Sequence, residues 1–319
     1  MSNTKIWLIG AGEMAKEYLK VLNDIEQEVI VIGRGENNCN EISNNFRVKT
    51  VAGGLTNFLT SQPELPNKVI VTVGIEALKD TTIELLNYGV KQILLEKPGV
   101  GYPSEIDALC EVSNQNNANV LLAYNRRFYA SVIKAKEIIK EDGGLSSFNF
   151  EFTEWSHIIK TLEKDPAEHQ NWFLGNSTHI IDTAFYVGGL PEELAAFVSG
   201  ENEMDWHKAS SNYAGAGIST KKALFSYQAN WQAPGRWSIE FLTKKHRLIF
   251  RPIEKLQIQD IGSVAIKDVE GVDYTLDEKY KPGLYLQTKF FLEDNTDEFC
   301  DINEQKEMID NYYLKMSNY

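Results

Sequence analysis

The chain has 319 residues, 43% apolar and 24% charged, the make-up of a globular protein with room for two domains. Its formal charge of −13 opposes binding to nucleic acid, and its basic residues gather only in short clusters such as Lys244-Lys245-His246-Arg247. No apolar run approaches the ~18 residues of a membrane helix. Met1-Ser2-Asn3-Thr4-Lys5 lacks the regions of a signal peptide. Three cysteines far apart in sequence, Cys39, Cys110 and Cys300, suggest neither a disulfide framework nor a metal cluster. A cytoplasmic chain with reduced thiols, no membrane partner and no metal is expected.

Residues 5–10 read as a buried strand running straight into Gly10-Ala11-Gly12-Glu13-Met14-Ala15 and a helix. In this Gly-x-Gly-x-x-Ala spacing Gly10 permits the tight turn and Gly12 lets backbone N–H groups approach a pyrophosphate. Ala15 allows the helix to pack closely, and the helix start, with Glu13 and Met14, favours the anion. A second strand at 28–32 ends in Gly33-Arg34-Gly35, where an acidic side chain usually selects NAD; the nearest carboxylate here is Glu36. A guanidinium at Arg34 suits a 2′-phosphate, so NADP(H) is preferred and NAD(H) remains possible, with a solvated turn as the plain alternative for Arg34.

The strand 68–73 carries Thr72 and leads to Gly74, where a cofactor ribose or nicotinamide can ride close to the backbone, although turn chemistry explains a glycine there as well. Ile93-Leu94-Leu95 is a short buried strand followed at once by Glu96-Lys97-Pro98, which places a lysine on the rim where open α/β sheets bind ligands. After a helix near 103–116, a strand at 119–124 ends in Asn125-Arg126-Arg127-Phe128. Alternation of strand and helix implies a doubly wound parallel sheet. Beyond about residue 128 the pattern changes. The run 147–155 alternates cleanly, and further strands at 193–199, 209–218, 223–231, 236–242 and 247–251 follow one another, which suggests a mostly antiparallel sheet. The expected fold is therefore α/β, with a Rossmann domain over 1–124 and an α+β domain over 125–319, to which the resemblance drawn below assigns substrate binding and oligomerisation.

One helix of the second half stands apart: Asn176-Ser177-Thr178-His179-Ile180-Ile181-Asp182, ending at Gly188-Gly189, with Asn176 or Ser177 as N-cap. Helical spacing puts Asn176, His179 and Asp182 along one edge. A core or capped histidine is the plainer reading of His179; its polar first turn raises the case for a working imidazole. Trp155 and Trp172 suit a sugar-binding wall or core packing about equally.

In combination these motifs resemble the glucose–fructose oxidoreductase/inositol dehydrogenase (Gfo/Idh/MocA) family: Gly10-x-Gly12-x-Met14-Ala15, Glu96-Lys97-Pro98, Tyr124-Asn125-Arg126-Arg127-Phe128 and His179-x-x-Asp182, in that order. The resemblance implies an NAD(P)-dependent oxidoreductase acting on a secondary alcohol or ketone of a sugar, sugar nucleotide or cyclitol. It further implies a homodimer or homotetramer formed through the second domain's sheet. Lys97 would reach the reacting oxygen and the nicotinamide ribose, His179 would be the acid/base, and Glu96 would hold the lysine or the ribose. Asn125 and Arg127 would lie beside the substrate; Trp172, Asn176 and Asp182 are further substrate-site candidates from the residues themselves, with Asp182 either holding the imidazole tautomer or a helix-surface carboxylate. Many members carry an aspartate four residues before the histidine, where this chain has Gly175. That departure keeps open a dinucleotide-binding regulator without turnover, and a reductase of a non-sugar ring is the other alternative.

Overall fold

Six short, mostly apolar strands form the parallel part of the first, seven-stranded sheet: β1 (Ile6–Ile9), β2 (Val29–Ile32), β3 (Lys49–Val51), β4 (Lys68–Val71), β5 (Gln92–Leu95) and β6 (Asn119–Leu122). They pair in parallel in the order β6-β5-β4-β1-β2-β3. Their apolar composition follows from that arrangement, since β1, β4 and most of β5 and β6 are buried along their length. The computed structural model describes residues 5–164 and 166–317; Met1-Ser2-Asn3-Thr4, on which the leader expectation rests, lie outside the described residues. The strand order reverses between β1 and β4, the switch point at which a doubly wound sheet opens a crevice beyond its carboxyl ends.

The chain divides into two compact units, Met1–Tyr124 with Lys279–Lys306, and Asn125–Glu278 with Glu307–Tyr319. The sequence pattern gives the break after Tyr124 but leaves 279–306 in the second domain, and here the structure differs. The returning segment supplies the helix Leu284–Leu292 against the helix Glu13–Asp24, and a two-residue strand, Cys300–Asp301, antiparallel to β6. Two buried glutamines fasten it. Gln287 Nε2 donates to the Tyr18 hydroxyl at 3.0 Å, and Gln305 Nε2 donates to the Pro98 carbonyl at 3.0 Å. Neither contact has a local sequence signature.

The second unit is organised on an eight-stranded sheet. Its strands are β7 (Ser147–Glu151), β8 (Pro191–Ser199), β9 (Asn212–Ser219), β10 (Leu224–Asn230), β11 (Ser238–Leu242), β12 (His246–Phe250), β13 (Gln257–Asp260) and β14 (Ile266–Asp268). The order is β14-β13-β12-β11-β7-β10-β9-β8, antiparallel throughout except for the parallel pair β7/β10. Alternation does the sorting: Phe148 and Phe150 of β7 and Phe225 and Tyr227 of β10 point inward and stack in pairs 5.4 Å apart. Phe185, from the helix Thr178–Gly188, meets Phe150 edge-on at 5.5 Å. Each such pair adds about 0.5–1.5 kcal/mol beyond simple burial. The sheet's other face stays open, with Phe197 70% and Leu224 61% exposed. Among the described residues no helix is long and apolar enough to cross a membrane.

Candidate active site

In the first unit a groove of ≈ 690 Å³ opens beyond the ends of β1, β2 and β4. Gly10, Gly12, Gly33, Arg34, Thr72 and Gly74 line it. Gly10 has φ +111°, and a Cβ there would stand 2.7 Å from Thr72 Oγ1 and 2.8 Å from the Thr72 carbonyl. The protein itself therefore demands glycine. Thr72 completes the lock, since its backbone N–H and its hydroxyl both donate to the Ile9 carbonyl, at 2.7 and 3.0 Å.

Gly12 differs. It is the N-cap of the helix Glu13–Asp24 with ordinary extended backbone, and a Cβ there would meet nothing within 4 Å. Among the described residues nothing stands in the way of a Cβ at this position, so the space is open to an occupant of the groove. A dinucleotide pyrophosphate laid on the helix N-terminus is such an occupant, so the residues present fit the cofactor the motif implies. Arg34 lies at the groove edge with Gly53, Gly54, Thr56 and Asn57, and positions 33–35 carry no carboxylate.

Glu13, Met14, Glu96 and Lys97 do not line this groove. The exposed Glu13 carboxylate pairs with Lys16 at 2.8 Å, which leaves its backbone as the part that serves the helix start. Met14 Sδ lies 2.9 Å from Lys281 Nζ. Glu96 accepts a hydrogen bond from the Tyr18 hydroxyl at 3.2 Å. Burial raises its pKa, while the charges of Lys97 and Lys281 pull it back. The Lys97–Pro98 peptide is cis, and Gln305, held in turn by the Tyr124 hydroxyl at 3.1 Å, anchors Pro98. The loop bearing Lys97 is thus fixed on both sides by buried polar groups.

The second unit builds its polar site from side chains. The turn Asn125–Phe128 is fastened to the helix Thr178–Gly188 by a buried ion pair: Arg127 Nη2 and Nε lie 2.6 and 3.0 Å from the Asp182 carboxylate. Asp182 is 1% exposed. Beyond its place along one edge with His179, the carboxylate faces inward to Arg127, where an unpaired guanidinium would be far costlier than the pair. Asn125 is buried and hydrogen-bonded to Tyr129.

A correction concerns the helix start. Ser177 has helical backbone (φ −67°, ψ −24°) and makes no cap, because a π-helical turn, Phe173–Ser177, carries the helix further back. Its hydroxyl donates instead to Glu154 Oε1 at 2.8 Å, and Asn176 Nδ2 donates to the same oxygen at 3.0 Å. Glu154, 1% exposed, also receives Arg236 Nη1 on Oε2 at 3.3 Å. Burial raises its pKa, against the opposing pull of Ser177 and Arg236. The His179 ring stands 6.2 Å from Trp237, whose ring carries Arg236 at 4.4 Å and Arg126 at 4.8 Å. Trp172 packs edge-on against Trp206 at 5.9 Å and is 8% exposed. Beside Glu154 runs a cleft of ≈ 940 Å³ walled by Trp155, Trp206 and Trp231.

Arg126, Glu154, Arg236 and Trp237 belong to this cluster although the sequence reading nominated none of them. The available signals were the last residues of the alternating run 147–155 and the two residues after the turn Ala233-Pro234-Gly235. Among the described residues no group of three or more His, Cys, Asp or Glu side chains is placed to hold a metal ion.

A switch-point crevice shaped by Gly10 and open at Gly12 gives the first unit the form of a dinucleotide-binding domain. Residues 4–124 match the family described as GFO_IDH_MocA, oxidoreductase family, NAD-binding Rossmann fold. No curated protein matches the chain by sequence. Its fold is that of a Gfo/Idh/MocA family oxidoreductase from Vibrio cholerae, at a TM-score of 0.77 and 14% identity, covering 99% of this chain and 97% of the other. The WlbA dehydrogenase of Chromobacterium violaceum, in complex with NADH and UDP-GlcNAcA, aligns at 0.74 and 15% identity, covering 100% and 95%. Levoglucosan dehydrogenase with NADH and L-sorbose aligns at 0.73 and 16%, covering 97% and 94%.

Proposed function

We propose that the protein moves a hydride between NADP(H), in preference to NAD(H), and a secondary alcohol or ketone on a sugar, sugar nucleotide or cyclitol. The observation that carries this reading is the open space at Gly12 within a groove that has no carboxylate at the end of β2. The ligands named with two fold neighbours, UDP-GlcNAcA and L-sorbose, support a sugar-like substrate. When bound, the nicotinamide accepts or supplies the hydride. Lys97 stabilises negative charge developing on the reacting oxygen, and His179 takes or returns that oxygen's proton. Glu96 and Gln305 hold the loop of Lys97, and the Arg127–Asp182 pair holds the helix of His179. The open sheet face bearing Phe197 and Leu224 joins two copies, and the buried cysteines Cys39, Cys110 and Cys300 accord with a reducing cytoplasm.

The test is absorbance at 340 nm with both cofactors against a panel of sugar nucleotides, free sugars and cyclitols. Turnover confined to the sugar-like members supports the reading; none at all, with the dinucleotide still binding, would make the protein a binding module. Arg34→Ala should weaken NADP(H) about tenfold and leave NAD(H) within a factor of two or so. Equal losses for both would remove the preference. Light scattering of Phe197→Glu, expected to run as a monomer, checks the sheet contact.

A further inference from the structure

We propose that the substrate carries an anionic group, a carboxylate or a phosphate, and that Arg126 and Arg236 receive it beside Trp237. This rests on the sugar-like substrate proposed above and narrows it to a charged one. All the groups involved belong to the second unit. Arg126 lies over the Trp237 ring at 4.8 Å and over the Tyr129 ring at 5.8 Å. Arg236 lies over Trp237 at 4.4 Å and over Trp155 at 4.7 Å. Two guanidinium groups thus share one indole, and His179 is 6.2 Å from the same ring.

Acceptors are scarce there. Glu154 is the near carboxylate, and its oxygens already take Ser177, Asn176 and Arg236, with Trp237 beside them. Among the described residues no carboxylate oxygen comes within the 4.0 Å of an ion pair with Arg126. Glu154 and Glu254 attract it only from further off, and Arg236 repels it. Arg126 Nε is a buried donor with no acceptor at hydrogen-bonding distance, whereas the Trp237 side chain is directed to Glu154. Burial already works against the Arg126 charge, which makes an incoming anion the group that relieves it. A neutral hydroxyl could satisfy that N–H; only an anion answers both the open donor and the excess positive charge of the two guanidinium groups. The planar fork of Arg126 is suited to either a carboxylate or a phosphate.

The experiment measures binding without cofactor and without turnover, by tryptophan fluorescence of the full chain. The probes are D-glucose, D-glucuronate, D-glucose 1-phosphate and inorganic phosphate. At least one charged probe should bind saturably, roughly tenfold to a hundredfold more tightly than glucose. Glucuronate leading indicates a carboxylate, and either phosphate probe leading indicates a phosphate. Arg126→Gln should erase the preference, Arg126→Lys should restore part of it, and Trp237→Phe should lower it by a smaller factor. Equal binding of glucose, no saturable binding of any charged probe, or a preference that survives Arg126→Gln each overturns the proposal. If Arg126→Gln does not fold, the wild-type titration and Trp237→Phe still decide. Because no hydride moves in this assay, its outcome is separate from that of the 340 nm panel.

Discussion

The groove of the first unit and the polar cluster of the second are built from opposite materials. In the groove the backbone does the shaping: a strained Gly10, an unhindered Gly12, N–H groups at a helix start, and the locking bonds of Thr72. In the cluster, side chains from separate stretches converge: Arg126 and Arg127, Glu154, the helix with Asn176 to Asp182, and Arg236 with Trp237. A backbone site tolerates change in almost everything except its glycines. A side-chain site is sensitive at every member, because each buried polar group depends on its neighbour.

The sharpest way to break that contrast is Gly12→Val. The new side chain enters space that the protein leaves open, so the fold should persist while dinucleotide binding falls below detection in a fluorescence titration. Normal binding would show that the pyrophosphate lies elsewhere. Next in size are the two groups assigned to chemistry: Lys97→Ala should lower turnover about 10³-fold and His179→Ala about 10²–10⁴-fold, both with cofactor affinity nearly intact. A near-normal rate for either variant removes that residue from the mechanism.

Asp182→Ala tests whether the cluster is a supporting structure. It leaves Arg127 buried without its carboxylate and should destabilise the protein by about 3–5 kcal/mol in urea unfolding. The double change Arg127→Met with Asp182→Leu should recover most of the loss, and failure to do so would mean that the pair has further duties. The smallest effect is at Glu154. Its pKa is raised above the usual 4.5 by burial, so the folded state holds the proton longer than the unfolded chain. This carboxyl's contribution is therefore fully present below pH 4.5 and is lost as pH rises through the elevated value. Glu154→Gln, which does not titrate, should gain on the wild type as pH rises through that window. A difference that is flat with pH would contradict the raised pKa.

The alternating strand-helix pattern and Gly10-x-Gly12 already specified the first sheet from the sequence, because buried parallel strands are uniformly apolar and a left-handed glycine leaves a local mark. The alternation of 147–155 likewise exposed β7. Strand β3, with only three residues, and the strand Cys300–Asp301 escaped notice, as both are too short to show a period. The Arg127–Asp182 pair also escaped, since the two residues lie 55 positions apart and each alone reads as a surface charge.

Composition and motif spacing by themselves determined a dinucleotide fold, a break after Tyr124, and the nomination of Lys97 and His179. Those features are written over a few consecutive residues, where backbone geometry and side-chain period act directly. Only the tertiary structure returned 279–306 to the first unit, turned Asp182 inward, and gathered Arg126, Arg236 and Trp237 around one another. Burial decides which charges must be paired, and burial is a property of the folded surface that no single stretch of chain possesses.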